Sequence, residues 1–238
     1  ISLSTSEDRA LSIAEVVANS PRVRELFAER NRAGLLKETI DMYSVQHEKY
    51  GLASSQFHIP PSISFLRLHD PEKFGDDLSD YRPMVLSVLK EKIPLRGISL
   101  TRNGPGIFAV VPINAPSGKF TGSFGVGLDF GPILDSIKTN YGFDSTLFID
   151  EELMTKISTS LNGEVFNKDN RIGKYLRFYT TNTDLMKKLV EDKDMKSEDE
   201  KKYVRETNNK EYGLVLMPVK IYDGKTIGVI AIANDFSA

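Results

Sequence analysis

The stretch TRNGPGIFAVVPINAPSGKFTGSFGVGLDF at residues 101–130 comes back 106 positions later, without a gap, as TNNKEYGLVLMPVKIYDGKTIGVIAIANDF at residues 207–236. Thr101 meets Thr207, Asn103 meets Asn209, Pro112 meets Pro218, and Gly118-Lys119 meets Gly224-Lys225. Gly122 then meets Gly228, and Asp129-Phe130 meets Asp235-Phe236. Between these identities apolar character is kept: Val110 with Leu216, Val111 with Met217, Ile113 with Val219. Each copy turns back at Ser117-Gly118 or Asp223-Gly224, dipeptides suited to a tight reversal between antiparallel strands. Chance does not produce that many matches in one register. The chain is therefore read as two tandem modules, each finishing in a three-stranded antiparallel sheet.

Ahead of the first copy, residues 7–50 carry a helical pattern. Leu11, Ala14, Val17 and Ala18 form a stripe, and Val23, Leu26 and Phe27, then Leu36, Ile40 and Tyr43, resume it. Asn19-Ser20-Pro21 interrupts with a capping residue and a first-turn proline. Gly51 is placed to stop the helix in the left-handed conformation. One long helix, kinked or broken near Pro21, is expected. Strands are expected at residues 64–69, 97–101, 107–113 and 122–130, with helices at 78–92 and 132–141. The second half repeats this with strands at 146–150, 156–160, 203–207, 213–221 and 226–234 and a helix at 183–193. The charged run at 191–202 reads as a solvated helix end and loop.

Composition removes several function classes. In 238 residues, 31 Lys and Arg stand against 33 Asp and Glu, and a net charge of −2 offers no footprint for nucleic acid and no polybasic membrane patch. The absence of cysteine excludes thiol catalysis, disulfides and zinc–thiolate sites. No apolar run is long enough to span a bilayer. His47, His58 and His69 lack the spacing of a metal-binding helix motif, and no Gly-x-Ser-x-Gly elbow exists. Gly104-Pro105-Gly106 is too short and stiff to cradle phosphate. No catalytic constellation remains, and neither a cofactor nor a metal is expected.

The segment Phe57-His58-Ile59-Pro60-Pro61, Ser64-Phe65-Leu66-Arg67-Leu68-His69 and Asp70-Pro71-Glu72-Lys73-Phe74-Gly75-Asp76-Asp77-Leu78-Ser79 closely resembles the first module of a double-Cache sensor. Such domains are the extracytoplasmic sensors of bacterial and archaeal chemoreceptors (methyl-accepting chemotaxis proteins) and sensor histidine kinases. The portion from His69 to Gly75 is also similar to the periplasmic sensors of citrate and C4-dicarboxylate kinases, where such a stretch lines the ligand pocket. The resemblance covers most of the chain, more strongly through Phe130 than beyond it. It implies an α+β fold: a long N-terminal helix, then two tandem PAS-like modules, each with a central antiparallel β-sheet. The implied domains are a stalk helix at 1–51, a ligand-binding, membrane-distal module at 52–131, a connecting helix at 132–142 and a membrane-proximal module at 143–238. It further implies an extracytoplasmic location between membrane helices outside this segment, which suits a chain that begins at Ile1. A homodimer in the full receptor and a relay to chemotaxis or two-component output follow from the same likeness.

The expected ligand is a small molecule, with a small carboxylate the leading class. Phe65, Arg67 and His69 share one face of a strand by alternation. Arg67 can bind a carboxylate bidentately and His69 can donate to it; alternatively, the pair points to solvent or joins Asp76 or Asp77. His58 either fixes the turn before the prolines or donates at the pocket rim. Tyr81 and Arg82 open the next helix, where an arginine gains nothing from the helix dipole, which favours an anion partner; a salt bridge to Asp76, Asp77 or Asp80 is equally simple. The family pattern has an arginine on the strand after its Gly-x-Gly turn, and here Phe108 follows Gly104-Pro105-Gly106-Ile107. Losing that bond costs about 1.5–3 kcal/mol, or about one to two decades in affinity, and moves the expectation from di- and tricarboxylates toward monocarboxylates, amphipathic or uncharged ligands. Asp129 and Asp235 close each copy; in many amine-binding Cache sensors an aspartate near that point holds an ammonium group, while its recurrence in both copies argues for a structural role at the module exit. The second module has no comparable cluster and is expected to transmit. A structural or protein-binding module without a small-molecule ligand is the competing reading.

Overall fold

The computed structural model describes residues 3–161, 163–196 and 199–236. The chain divides into two compact units: one made of the residues up to Thr101 together with Pro105–Asp129, the other of Arg102–Gly104 and everything from Phe130 onward.

The first unit opens with three helices: α1 (Leu3–Ala18), α2 (Pro21–Ala28) and α3 (Arg32–Tyr50). The break at Pro21 is the expected one, with Pro21 in the first turn of α2. A second break follows at residues 29–31. Arg30 takes a left-handed conformation (φ 57), and Asn31 caps α3 by accepting from the Gly34 amide at 2.8 Å. Arg30 holds this corner through a 2.8 Å bond to the Thr121 carbonyl. The expected stripe is offset on α3, where Leu35, Thr39 and Tyr43 are the buried residues and Leu36 and Ile40 are only partly covered. Gly51 ends α3 at φ 68 in the left-handed region, as its position predicts.

The sheet that follows contains β1 (Leu52–Ile59), β2 (Ile63–Arg67), β3 (Leu95–Thr101), β4 (Gly104–Asn114) and β5 (Phe120–Asp129), with α4 (Pro83–Glu91) between β2 and β3. Its strand order is β2-β1-β5-β4-β3. Phe124, Val126 and Leu128 are buried on β5, and Phe57 packs on Phe124 and Phe27 at centroid separations of 4.6 and 5.4 Å. This aromatic cluster joins α2 to one face of the sheet.

The second unit repeats the plan with α5 (Phe130–Tyr141), β6 (Asp144–Asp150), α6 (Glu151–Ile157), β7 (Arg171–Ile172), β8 (Tyr175–Thr180), α7 (Thr183–Leu189), β9 (Lys201–Thr207), β10 (Lys210–Lys220) and β11 (Thr226–Asp235). The order β7-β8-β6-β11-β10-β9 matches the first sheet strand for strand, with β7 added at one edge. The repeat has a physical basis at its two glycine pairs. Gly118 and Gly224, at φ 86 and 90, close turns in which their amides donate to Ala115 and Ile221 at 2.9 and 2.8 Å. Gly122 and Gly228 sit against a neighbouring backbone: a Cβ there would meet the His58 carbonyl oxygen at 2.2 Å and the Phe148 carbonyl oxygen at 2.1 Å.

Two local expectations are corrected. Residues 156–160 are not a strand, because Asp150 caps α6 by accepting from the Glu152 and Leu153 amides and so starts a helix that runs through Lys156. The charged run is not wholly solvated: Asp194 is buried, held by Arg205 at 2.7 Å and by the Glu191 amide at 2.8 Å. Residues 197–198 of that run lie outside the described residues.

Candidate functional site

Alternation along β5 gives its two faces opposite characters. Phe124, Val126 and Leu128 fill the face toward the helices, while Ser123, Gly125 and Gly127 leave the other face nearly bare. Register pairs Ser123 with His58 and Pro112, Gly125 with Gln56 and Val110, and Gly127 with Phe108. The bare positions accommodate their neighbours. A Cβ on Gly127 would lie 2.5 Å from the Phe108 ring, and one on Gly125 would lie 3.1 Å from His58. Glycine lets Phe108 lie flat across the sheet.

Arg82 covers this face. Pro83 in the first turn starts α4 one residue later, which leaves Arg82 at its N-cap position with φ −129 and no side-chain cap bond. The helix is thus shorter than the expected 78–92. The Arg82 guanidinium lies 4.9 Å from the Phe108 ring centroid, a cation–π distance. No carboxylate pairs with it among the described residues. Burial pushes its pKa down to about 10, with the Arg67 charge adding to the shift.

His58 is fully buried beside it. Nδ1 lies 3.0 Å from the Ser123 hydroxyl, and Nε2 has no partner among the described residues. Burial, then the Arg82 and Arg67 charges, hold its pKa well below the ordinary imidazole value, so the ring is neutral.

Arg67 is committed elsewhere. It grips Asp76 bidentately at 2.7 and 2.8 Å and donates to the Lys73 carbonyl at 2.7 Å. Tyr81 adds a hydroxyl bond to Asp76 at 2.6 Å. Of the two readings open for Arg67, pairing with Asp76 is the one present here. The Arg67 guanidinium, followed by Tyr81, holds the Asp76 carboxyl far below the usual carboxylate range. A carboxyl with a depressed pKa stabilises the fold above its unfolded value, near 4, and loses that contribution as pH falls. Stability is expected to drop below about pH 4, and this portion of the drop should be absent in Asp76→Asn. Urea midpoints measured between pH 6 and pH 2 check it, and equal acid sensitivity in both proteins would remove the network from the account.

The structure removes one of three residues that alternation placed together. The pairing of β1 with β2 shifts register between Phe57 and His58, where Leu66 faces Phe57 but Ser64 faces His58. The bulge turns Phe65 onto Phe27 at 5.5 Å, on the helix side, while Arg67 reaches Asp76. His69 is exposed, its Nδ1 against the Ser55 backbone. So Arg82, Phe108 and His58 come together with Arg67 and Tyr81 close by, His69 is near enough for the Arg67 and Arg82 charges to act on it, and Phe65 lies apart on the helix side. Sequence reasoning missed Ser123, Gly125 and Gly127, although three small residues at every second position beside Phe124, Val126 and Leu128 are a readable signal of a face that must admit large neighbouring side chains.

The equivalent face of the second unit is packed shut. In the same register Phe148 stands where His58 stands, paired with Val229 instead of Ser123, and Ala231 and Ala233 replace Gly125 and Gly127. Leu214 and Leu216 replace Phe108 and Val110, and all of these join Met186, Leu189 and Tyr212 in one apolar core. Asp235 pairs with Lys210 at 2.7 Å. Among the described residues no group of His, Cys, Asp or Glu side chains converges as a metal site.

Solved structures share this fold at low identity. A domain from Vibrio parahaemolyticus described as of the sensory box/GGDEF family aligns with TM-score 0.57 and 15% identity, covering 99% of this chain and 90% of its own. The sensor domain of the Vibrio cholerae histidine kinase DctB gives TM-score 0.53 and 8% identity over 99% of this chain and 92% of its own. The sensory domain of the Campylobacter jejuni chemoreceptor Tlp3 with isoleucine bound gives 0.51 and 14%, over 98% and 84%. No curated protein matches the chain. Residues 2–238 match the family dCache_3, described as the double sensory domain of two-component sensor kinase. The chain belongs to that family of double-Cache sensor domains.

Proposed function

We propose that this chain is the extracytoplasmic ligand-binding part of a transmembrane receptor, that its first unit binds a small carboxylate, and that the second relays the event toward a chemotaxis or two-component output. The observation that carries the reading is Arg82: a half-buried guanidinium at the positive end of a helix, without a carboxylate among the described residues, next to a fully buried imidazole with an unused nitrogen. Leaving such groups uncompensated is costly, and a ligand anion relieves both. Arg82, His58 and Phe108 form the contact set in this proposal, and Arg67 and Tyr81 hold its wall through Asp76. The packed face of the second unit supports a transmitting role for it.

No described helix is long and apolar enough to cross a membrane, so the membrane segments in this proposal lie outside the chain. The first helices are the proposed dimer seam. Binding shifts such a receptor only through unequal affinity for its two states, with a small helix displacement as output.

A thermal-shift screen against carboxylates, amino acids, amines and purines tests the reading, run in parallel on Arg82→Ala. A ligand at about 100 times its Kd adds about 2.7 kcal/mol, which moves Tm by about 5–11 °C. A carboxylate shift that vanishes in Arg82→Ala is expected. A shift unchanged in the variant would refute the site, and silence across all classes would favour a protein-binding module.

A further inference from the structure

We infer that the second unit carries an anion site of its own, in which one edge of the Arg177 guanidinium holds a compact inorganic oxyanion of the phosphate or sulfate type. This site is independent of Arg82 and of the ligand proposed for the first unit.

Arg177 lies on β8 opposite Phe148 of β6. It is only 7% exposed, and the guanidinium carbon sits 5.8 Å from the Phe148 ring centroid. An arginine carries five N–H groups, and here a single acceptor meets them: the Asp169 carbonyl oxygen takes a 3.3 Å bond from Nη1. Nε is buried without a partner, and Nη2 makes no hydrogen bond among the described residues. Nε–H and the Nη2–H beside it run parallel, and that edge is the one that grips two oxygens of one anion. The neighbouring cations are each matched, Arg171 by Glu151 at 2.5 Å and Lys174 by Asp150 at 3.1 Å. No carboxylate pairs with Arg177 among the described residues. Burial pushes its pKa down, and no acidic group acts on it in the opposite sense.

The fold does not ask for a cation at this position. By strand order β8 corresponds to β2, and both units shift register at the same place, between Phe57 and His58 and between Leu147 and Phe148. Ser64 faces His58 where Arg177 faces Phe148. Ser64 is buried too, and its hydroxyl is satisfied by Gln56 Nε2 at 2.7 Å. A buried guanidinium in place of that hydroxyl costs stability unless an anion accompanies it. The surroundings set the size of that anion. Toward the middle of the sheet Phe148, Tyr175, Leu214 and Leu216 belong to one apolar core, which excludes a polar ligand body. On the other side residues 163–170 cross Arg177 with no regular structure beyond one 3-10 turn at Lys168–Asn170. An anion enters from that side, stays compact, and ties the segment to the sheet without opening the packed face.

The test is thermal unfolding of the intact chain in chloride buffer, then with inorganic phosphate or sulfate at matched ionic strength, beside Arg177→Met, Arg177→Lys and Arg82→Ala. At about ten times its Kd the preferred anion should raise Tm by about 5 °C, in the intact chain and in Arg82→Ala alike. The larger of the two responses tells phosphate from sulfate. Arg177→Met should keep only the general salting effect of these anions, and in chloride alone it should melt no lower than the intact chain, having lost an uncompensated charge. Arg177→Lys keeps the charge without the fork, should lose most of the response, and decides the matter if Arg177→Met does not fold. An equal response in both Arg177 variants, or no response of the intact chain to either anion, overturns the inference. So does an Arg177→Met protein that folds but melts well below the intact chain in chloride, since Arg177 would then be a structural link to Asp169. A response lost in Arg82→Ala and kept in Arg177→Met would move the oxyanion to the first unit and equally overturn it.

Discussion

Gly122→Ala and Gly228→Ala are each expected to destabilise their own unit by about 3 kcal/mol, lowering the melting temperature by about 10 °C. A methyl group at Gly122 would sit 2.2 Å from the carbonyl oxygen of His58, and one at Gly228 would sit 2.1 Å from that of Phe148. Both obstacles are backbone atoms of the neighbouring strand, so no side-chain rotation relieves them, and the strands must part. Gly122 carries an added torsional cost, since its φ of 154 lies in a region side chains avoid. Gly118 supplies the contrast. Its φ is 86 but nothing lies within 4 Å of its Cβ direction, so alanine there meets only the left-handed penalty, about 1 kcal/mol. Urea denaturation of the three variants decides the matter. If Gly118→Ala costs as much as Gly122→Ala, torsion rather than strand approach explains why glycine recurs in the repeat.

That recurrence is also why the fold was legible. Repeats survive where the backbone has no alternative, and the matched glycines mark a turn and a close strand approach in each unit. Helix stops such as Gly51 and starts such as Pro21 act through local conformation and could be read in place. The break at Arg30 could not, because a non-glycine residue in a left-handed corner is held by a distant partner, the Thr121 carbonyl. The strand at 156–160 failed for a local reason that went unweighed, the Asp150 cap. In the candidate site, residue types were legible and their grouping was not. Alternation placed Phe65, Arg67 and His69 on one face, and a single bulge in the pairing of β1 with β2 took Phe65 off it. Bulges depend on how two strands meet, which one strand's pattern does not contain. The commitment of Arg67 to Asp76 likewise follows from where the loop after β2 returns.

Phe57 and His58 are neighbours in the chain, and exchanging each should show that stability and recognition occupy opposite faces of one strand. Phe57 is fully buried on the helix side, 5.4 Å from Phe27 and 4.6 Å from Phe124. Phe57→Ala removes the ring that joins them and should cost about 4 kcal/mol. His58 points the other way, toward Ser123 and Arg82, with one nitrogen unpartnered among the described residues. His58→Phe copies the second unit, where Phe148 fills the equivalent place inside an apolar core. It removes a buried polar nitrogen without a partner among the described residues, a relief of about 1–3 kcal/mol, against overpacking and the loss of the Ser123 hydroxyl's bond to the ring, together of similar size. Stability should therefore change by no more than about 1 kcal/mol. Binding should behave in the reverse way. At a temperature where Phe57→Ala is still folded, its affinity for whichever carboxylate the intact chain binds should stay within about tenfold, because the lost ring is one pleat removed from the site. His58→Phe should lose the imidazole donor and with it at least one decade of affinity, as the removal of a hydrogen bond to a charged group does. Denaturation and calorimetry on the two variants measure both quantities. Tight binding by His58→Phe would leave Arg82 as the anchor and remove the imidazole from the contact set, and a Phe57→Ala protein that folds but no longer binds would tie recognition to the helix-side packing.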